Sequence, residues 1–185
     1  MNQLLLEQFV FSNGNWESRE VWKLDLKTLN MQEVSRMQES KCDIGEWCYT
    51  ILHFVFCILL TASGNYMYAV GRNELNSWLV SAERYDFIAN QWVLLPNMKK
   101  ERSYAAVVNC CGKVYAIGGF DGHKPTNICE VYDQKMNKWR KIQAMKTCRA
   151  GVKGIGVGDR IYVVGGWDGC KWLDTCEVYI PKERR

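Results

Sequence analysis

The sequence predicts an all-β chain of four-stranded antiparallel units. Three observations carry this: self-similarity at a spacing of 47 residues, short alternating or β-branched runs inside each copy, and Gly, Asn and Asp turn signals between the runs. Tyr68-Ala69-Val70-Gly71 recurs as Tyr115-Ala116-Ile117-Gly118-Gly119 and again as Tyr162-Val163-Val164-Gly165-Gly166. Glu83-Arg84-Tyr85-Asp86 recurs as Glu130-Val131-Tyr132-Asp133 and then as Glu177-Val178-Tyr179. Trp92, Met98 and Arg102 return as Trp139, Met145 and Arg149, each 47 residues on.

In chain order, the first copy is decayed. Val21-Trp22-Lys23-Leu24-Asp25, Met31, Met37 and Lys41 stand where the next copy has Tyr85-Asp86, Trp92, Met98 and Arg102, at an offset of 61. The fourteen extra residues fall between Lys41 and Gly71, around the apolar stretch Trp47–Ala62. That stretch reads as an insertion into, or replacement of, one inner strand and its turn. In the complete copies, Lys113–Ile117, Ile128–Tyr132 and Lys138–Ile142 read as strands, with a turn over Asp133 to Asn137. The glycine pair closes the second strand, where positive φ or a close backbone approach leaves no room for Cβ. Large aromatics at Tyr132 and Trp139 are expected to pack between neighbouring sheets, so the copies must stack to bury their faces. The framework is thus Gly71, Tyr85, Trp92 and Arg102, then Gly118, Gly119, Tyr132, Trp139 and Arg149, then Gly165, Gly166 and Tyr179.

Composition narrows the function classes. The chain has 185 residues, 48% of them hydrophobic, with only three Pro, which argues for a globular class. The net charge of +4 and the short, acid-interrupted basic runs do not make a nucleic-acid footprint. Nine Cys, an odd number with several in apolar runs and no signal peptide ahead of them, suggest free thiols and a reducing, cytoplasmic location. His53 and His123 are far apart and no Cys-x2-Cys pair occurs, so no metal site or cofactor is expected. The apolar Tyr49–Ala62 run is about fourteen residues, short of the roughly twenty that a membrane-crossing helix needs, so no membrane partner is expected. Without a phosphate loop, nucleophile elbow or His-Glu-x-x-His, the chain reads as non-enzymatic.

Four-stranded units of this length with Gly-Gly, Tyr and a later Trp resemble the kelch motif of β-propellers, strongly over about 60–180 and weakly over 4–41. Gly118-Gly119-Phe120-Asp121-Gly122 and Gly165-Gly166-Trp167-Asp168-Gly169, each followed by Glu-Val-Tyr, are similar to the propellers of kelch-like proteins that carry an N-terminal BTB domain. The departures are Val10-Phe11 and Gly71-Arg72 in the glycine slots, and no BTB-like region. The resulting organisation is a degenerate half-repeat over 1–41, an apolar insertion within a blade over 42–63, and about 2.5 blades over 64–185, a partial kelch propeller. The resemblance implies a protein-interaction module like the substrate receptor of cullin-type ubiquitin ligases. Its alternatives are an actin or cytoskeleton-binding protein, or an incomplete fragment without independent function. The last blade stops after its third strand and the chain begins part-way through another, so the two partial blades are expected to complement each other either within one chain or, as a homodimer, between two.

Framework positions recur because every blade packs alike, so residues that differ between copies in one loop are the better candidates for recognition. After the glycines the loops read Asn73–Trp78, then Phe120, Asp121, Gly122, His123, Lys124 and Pro125, then Trp167, Asp168, Gly169, Cys170, Lys171 and Trp172. The resemblance implies that these loops, with Lys99–Tyr104 and Lys146–Gly151, bind partner peptides. The candidate partner-binding residues are Tyr104, Phe120, Asp121, His123, Lys124, Trp167, Asp168, Lys171 and Trp172. Competing readings stand beside these: Trp172 pins its own loop, Asp121 and Asp168 are turn residues before Gly, and Lys124 and Lys171 are solvated.

Overall fold

The computed structural model describes residues 10–11, 21–25, 30–34, 59–74 and 77–183. Among them all the regular structure is strand, arranged as consecutive antiparallel meanders. β1 (Val10–Phe11), β2 (Val21–Asp25) and β3 (Asn30–Val34) form one sheet. β4 (Leu59–Ser63), β5 (Tyr66–Glu74), β6 (Ser77–Asp86) and β7 (Gln91–Leu95) form the second. β8 (Ala106–Cys110), β9 (Lys113–Ile117), β10 (Cys129–Asp133) and β11 (Lys138–Ile142) form the third. The last sheet contains β12 (Lys153–Val157), β13 (Arg160–Val164) and β14 (Cys176–Tyr179), the first three strands of the repeat.

Two expectations shift. The second sheet begins at Leu59 rather than at residue 64, because Leu59–Ala62, the end of the apolar stretch, pair with β5 and supply its first strand. An apolar run serves as well as any other here, since an inner strand is covered on both faces. The rest of that stretch, with Met37, Lys41 and His53, lies outside the described residues. The second difference concerns Asn73–Trp78. With Arg72 in place of the second glycine, the ladder resumes after an irregularity at Val70/Arg72, and Asn73 pairs with Trp78 and Glu74 with Ser77. That loop is mostly a hairpin, unlike its two counterparts, and Leu75 and Asn76 lie outside the described residues.

The sheets stack through residues that recur. β8 packs between β4 on one side and β12 on the other. Glycines let these first strands approach: a Cβ on Gly154 would stand 2.7 Å from Val108 Cγ2, and one on Gly156 2.3 Å from the Asn109 carbonyl oxygen. Farther out, where the sheets diverge, large aromatics fill the space. Trp139 (1% exposed) and Tyr132 (2%) stand opposite one another on β11 and β10, with ring centroids 5.3 Å apart. They join Val70, Ala82, Leu95 and Met98 of the preceding sheet in one core. A second core repeats this between the third and last sheets, from Val108, Tyr115, Ile117 and Val131 to Ile161 and Val163. Tyr85 and Tyr132 donate their hydroxyls to Asn90 and Asn137, both with positive φ in the hairpin turn that follows.

Trp139→Ala should therefore destabilise the chain by about 3–5 kcal/mol, the range for a large aromatic truncated in a core that cannot collapse. Ile88→Ala, at a turn residue 80% exposed, should leave the unfolding free energy from urea titration within about 0.5 kcal/mol of wild type.

Candidate loop face

Each loop face is held by a buried arginine from the segment entering the blade. Arg102 is fully buried, and burial pulls its guanidinium below its usual range while the Glu130 carboxylate opposes that pull. Its Nη2 donates to Glu130 Oε1 at 2.6 Å, and its Nη1 donates to the carbonyls of Gly118 (3.0 Å) and Ile128 (2.9 Å). Glu130 also accepts the backbone N–H groups of Lys99 and Lys100. One ion pair thus ties the strand β10, both ends of the β9–β10 loop and the 99–102 segment together. The next copy repeats it: Arg149 donates to Glu177 and to the carbonyls of Gly165 and Thr175, while Glu177 accepts the N–H groups of Lys146 and Thr147.

Gly71 and Gly118 each lie against the backbone of the arginine that enters the following blade. A Cβ on Gly71 would stand 2.6 Å from the Arg102 carbonyl oxygen, and one on Gly118 2.7 Å from that of Arg149. Both have positive φ, so any side chain would meet strain as well as collision. The second glycine is equally confined, with Gly119 donating its N–H to the Arg149 carbonyl at 2.8 Å.

Beyond the glycines, each loop is a clamp closed by aspartate. Asp168 Oδ1 accepts the N–H groups of Cys170 and Lys171, both at 2.8 Å, and its own N–H donates to the Lys171 carbonyl. Asp121 does the same with His123 and Lys124, and Lys100 Nζ lies 3.9 Å from its other oxygen. The backbone donors of Lys171 and Cys170 hold the Asp168 carboxyl below the usual carboxylate range. For Asp121 partial burial pushes upward, and the donors of Lys124 and His123 with the nearby lysines outweigh it. A depressed carboxyl stabilises the loop at every pH above its unfolded value, and that contribution is lost as pH falls through the folded value.

The two loops meet. The Phe120 backbone bridges Ser103 and Pro125, and the Trp167 backbone bridges Ala150 and Trp172. Gly151 donates its N–H to the Tyr104 carbonyl at 2.8 Å, Trp172 lies beside Gly151, and Gly169 lies beside Pro125. On this joined surface Trp172 is 77% exposed and Tyr104 41%. Phe120, Asp121, Trp167 and Asp168 are half-buried, while His123, Lys124 and Lys171 are exposed. The structure brings the candidates of the last two loops onto one surface with Tyr104; the side chain of Trp78 is not among those described.

Two contributors, Glu130 and Glu177, were not among the sequence candidates, and for Tyr104, which was, the sequence held no local sign of its backbone conformation. Glu130 and Glu177 recur at the repeat spacing with the arginines, and a glutamate kept between apolar strand residues was the available signal. Tyr104 has φ 52, where the next copy has Gly151 at φ 66, a conformation that costs an aromatic residue about 1–2 kcal/mol. Only the alignment of the two copies points to it.

Arg102→Ala should destabilise by about 3–5 kcal/mol, because it strands a buried carboxylate. Arg149→Ala should cost less, since the Glu177 side chain is 18% exposed and can be hydrated. Denaturant titration of both variants measures the difference.

Comparison with known proteins agrees with this architecture. The kelch motif matches residues 57–99, 101–146 and 148–185. Kelch-like protein 8 of Caenorhabditis elegans is 39% identical over 62 residues, 34% of this chain and 9% of that protein. A kelch repeat and BTB domain-containing protein of the same organism is 45% identical over 58 residues, 31% of this chain and 10% of the relative. Kelch-like protein 35 of Mus musculus is 32% identical over 108 residues, 58% of this chain and 16% of the relative. The chain thus aligns with about a tenth to a sixth of the length of these relatives. With three matched motifs covering more than half its length, on stacked antiparallel meanders, the chain belongs to the kelch-repeat family.

Proposed function

We propose that the chain is a protein-binding module that recognises a partner polypeptide with the surface formed by the β9–β10 and β13–β14 loops and the Tyr104 segment. The observation that carries this is Trp172, 77% exposed on a loop whose backbone is fixed by the Asp168 clamp. A rigidly mounted indole loses little entropy on binding and contributes strongly to an interface. Tyr104 adds to the reading: an exposed aromatic is held at positive φ where glycine would be relaxed, which is local strain beside the same surface. Lys124, Lys171 and His123 are exposed on the same two loops and offer donors, suited to a partner that supplies acceptors or carboxylates.

The kinship with a BTB-bearing relative extends this reading to a client receptor for a cullin-type ubiquitin ligase, in which a BTB region engages the ligase and the kelch blades hold the client.

Affinity capture from cells followed by mass spectrometry tests the loop surface. A discrete protein should be captured by the wild type and lost from a Trp167→Ala, Trp172→Ala double variant; equal capture by both would remove the loop reading. Trp172→Ala alone should stay within about 0.5 kcal/mol of wild-type stability. Tyr104→Gly should hold or raise stability, by no more than about 1 kcal/mol, while weakening client binding.

A further inference from the structure

The junction of β8 and β9 carries two adjacent free cysteines, Cys110 at the end of β8 and Cys111 in the turn. Their sulfurs lie 3.9 Å apart, and each faces the Gly158 carbonyl of the β12–β13 turn, at 3.8 Å and 3.9 Å. Gly64, Cys111 and Gly158 stand 47 residues apart and open the same turn in three sheets, with φ of 61, 51 and 59. A left-handed backbone suits glycine and strains a residue with a Cβ, so Cys111 holds a costly place where both sister turns use the relaxed residue. Space does not dictate the choice, since a Cβ on Gly64 or Gly158 would meet nothing within 4 Å. The strained thiol is exposed, and its neighbour Cys110 is buried. Strain kept at a reactive side chain is a mark of function rather than of packing.

From this we infer that Cys110 and Cys111 form a redox-active dithiol, a modification site that a peroxide closes to a disulfide between adjacent residues and a thiol reductant reopens. The Cys111 sulfur, as thiolate, attacks one peroxide oxygen; the O–O bond breaks, and the departing hydroxide takes up the proton Cys111 has lost, leaving a sulfenic acid and water. The Cys110 sulfur then attacks the Cys111 sulfur, the S–O bond breaks, and the Cys110 thiol proton leaves with the hydroxide as a second water. Two thiols lose two electrons, and one peroxide gains them. Burial pushes the Cys110 thiol up to about 11, which assigns the first attack to Cys111 and the resolving step to Cys110. The resulting bond is easily reduced. A trans peptide holds the two Cα atoms about 3.8 Å apart, closer than the roughly 4.4–6.8 Å usual for a disulfide, so the ring is strained. Closure also removes the S–H groups that face Gly158, at the contact between the third and last sheets. β9 runs from this turn to the glycine pair, so the thiols lie at the opposite end of the sheet from the loop surface, and the inference does not rest on client binding.

Cleavage after Arg102 and Lys113 releases a peptide, 103–113, whose only cysteines are these two. The full chain is treated with increasing hydrogen peroxide, alkylated, digested and analysed by mass spectrometry. This peptide should become lighter by two hydrogens and escape alkylation at peroxide doses at least about tenfold below those that modify the exposed Cys170 and Cys176, and dithiothreitol should restore both thiols. Phenylarsine oxide, which bridges two close thiols with loss of one water, should occupy the same peptide without any oxidant and resist an excess of monothiol. Neither measurement needs a variant. Persistence of both thiols at doses that modify Cys170, oxygen added to Cys111 alone, a bond from either sulfur to another cysteine, or failure of the arsenical to bridge the pair would overturn the inference.

Discussion

The interaction on which the rest of the structure depends is the buried Arg102–Glu130 pair and its copy, Arg149–Glu177. Most of each sheet is held to its neighbour by apolar burial, which has no directional preference. The ion pair adds direction, because a guanidinium surrounded by a carboxylate and the carbonyls of Gly118 and Ile128 fits in one orientation only. Burying such a pair is a weak source of net stability against an apolar substitute. What it supplies is register: the segment entering a blade is locked to both ends of the loop leaving that blade's second strand. The loop surface therefore inherits its shape from a charge pair with no exposed atom in the Arg102 copy.

This arrangement separates rigidity from recognition. The clamp aspartates, the glycine pairs and the arginines make their contacts inside the chain, so they shape the loops and leave little of their own chemistry to offer. The positions between them change freely from copy to copy, with Phe120 against Trp167 and Pro125 against Trp172. A loop of fixed backbone with variable side chains is well suited to presenting a different chemical surface from each blade.

Much of the fold was legible because the repeat made each copy a control for the next. The recurrence of Tyr132 and Trp139 pointed to aromatics between sheets, and they are core residues there. The glycine pairs pointed to positive φ and close approach, and both are present. The boundary at residue 64 missed Leu59–Ser63, because an apolar run out of phase with the other copies carries no strand-specific alternation. The site was less legible. Trp167 and Trp172 were equal in sequence, yet one is half-buried and the other 77% exposed, although their backbones bridge one another. The Tyr104 backbone conformation has no local signature at all, since tyrosine is not a residue that ordinarily marks a left-handed turn.

The glycines of β12 have a geometric consequence. Gly154 and Gly156 bring the backbone of one first strand almost onto the side chains of the other, while Trp139 and Tyr132 keep the outer strands apart. The third sheet is therefore a wedge, thin where β8 meets β12 and thick where β10 and β11 meet the second sheet, and its angle to its neighbours is set by this gradient of side-chain volume. Curvature in such an array is a sum of local volumes: one methyl group added at the thin end opens every later sheet away from the common axis, and one ring removed at the thick end closes them toward it.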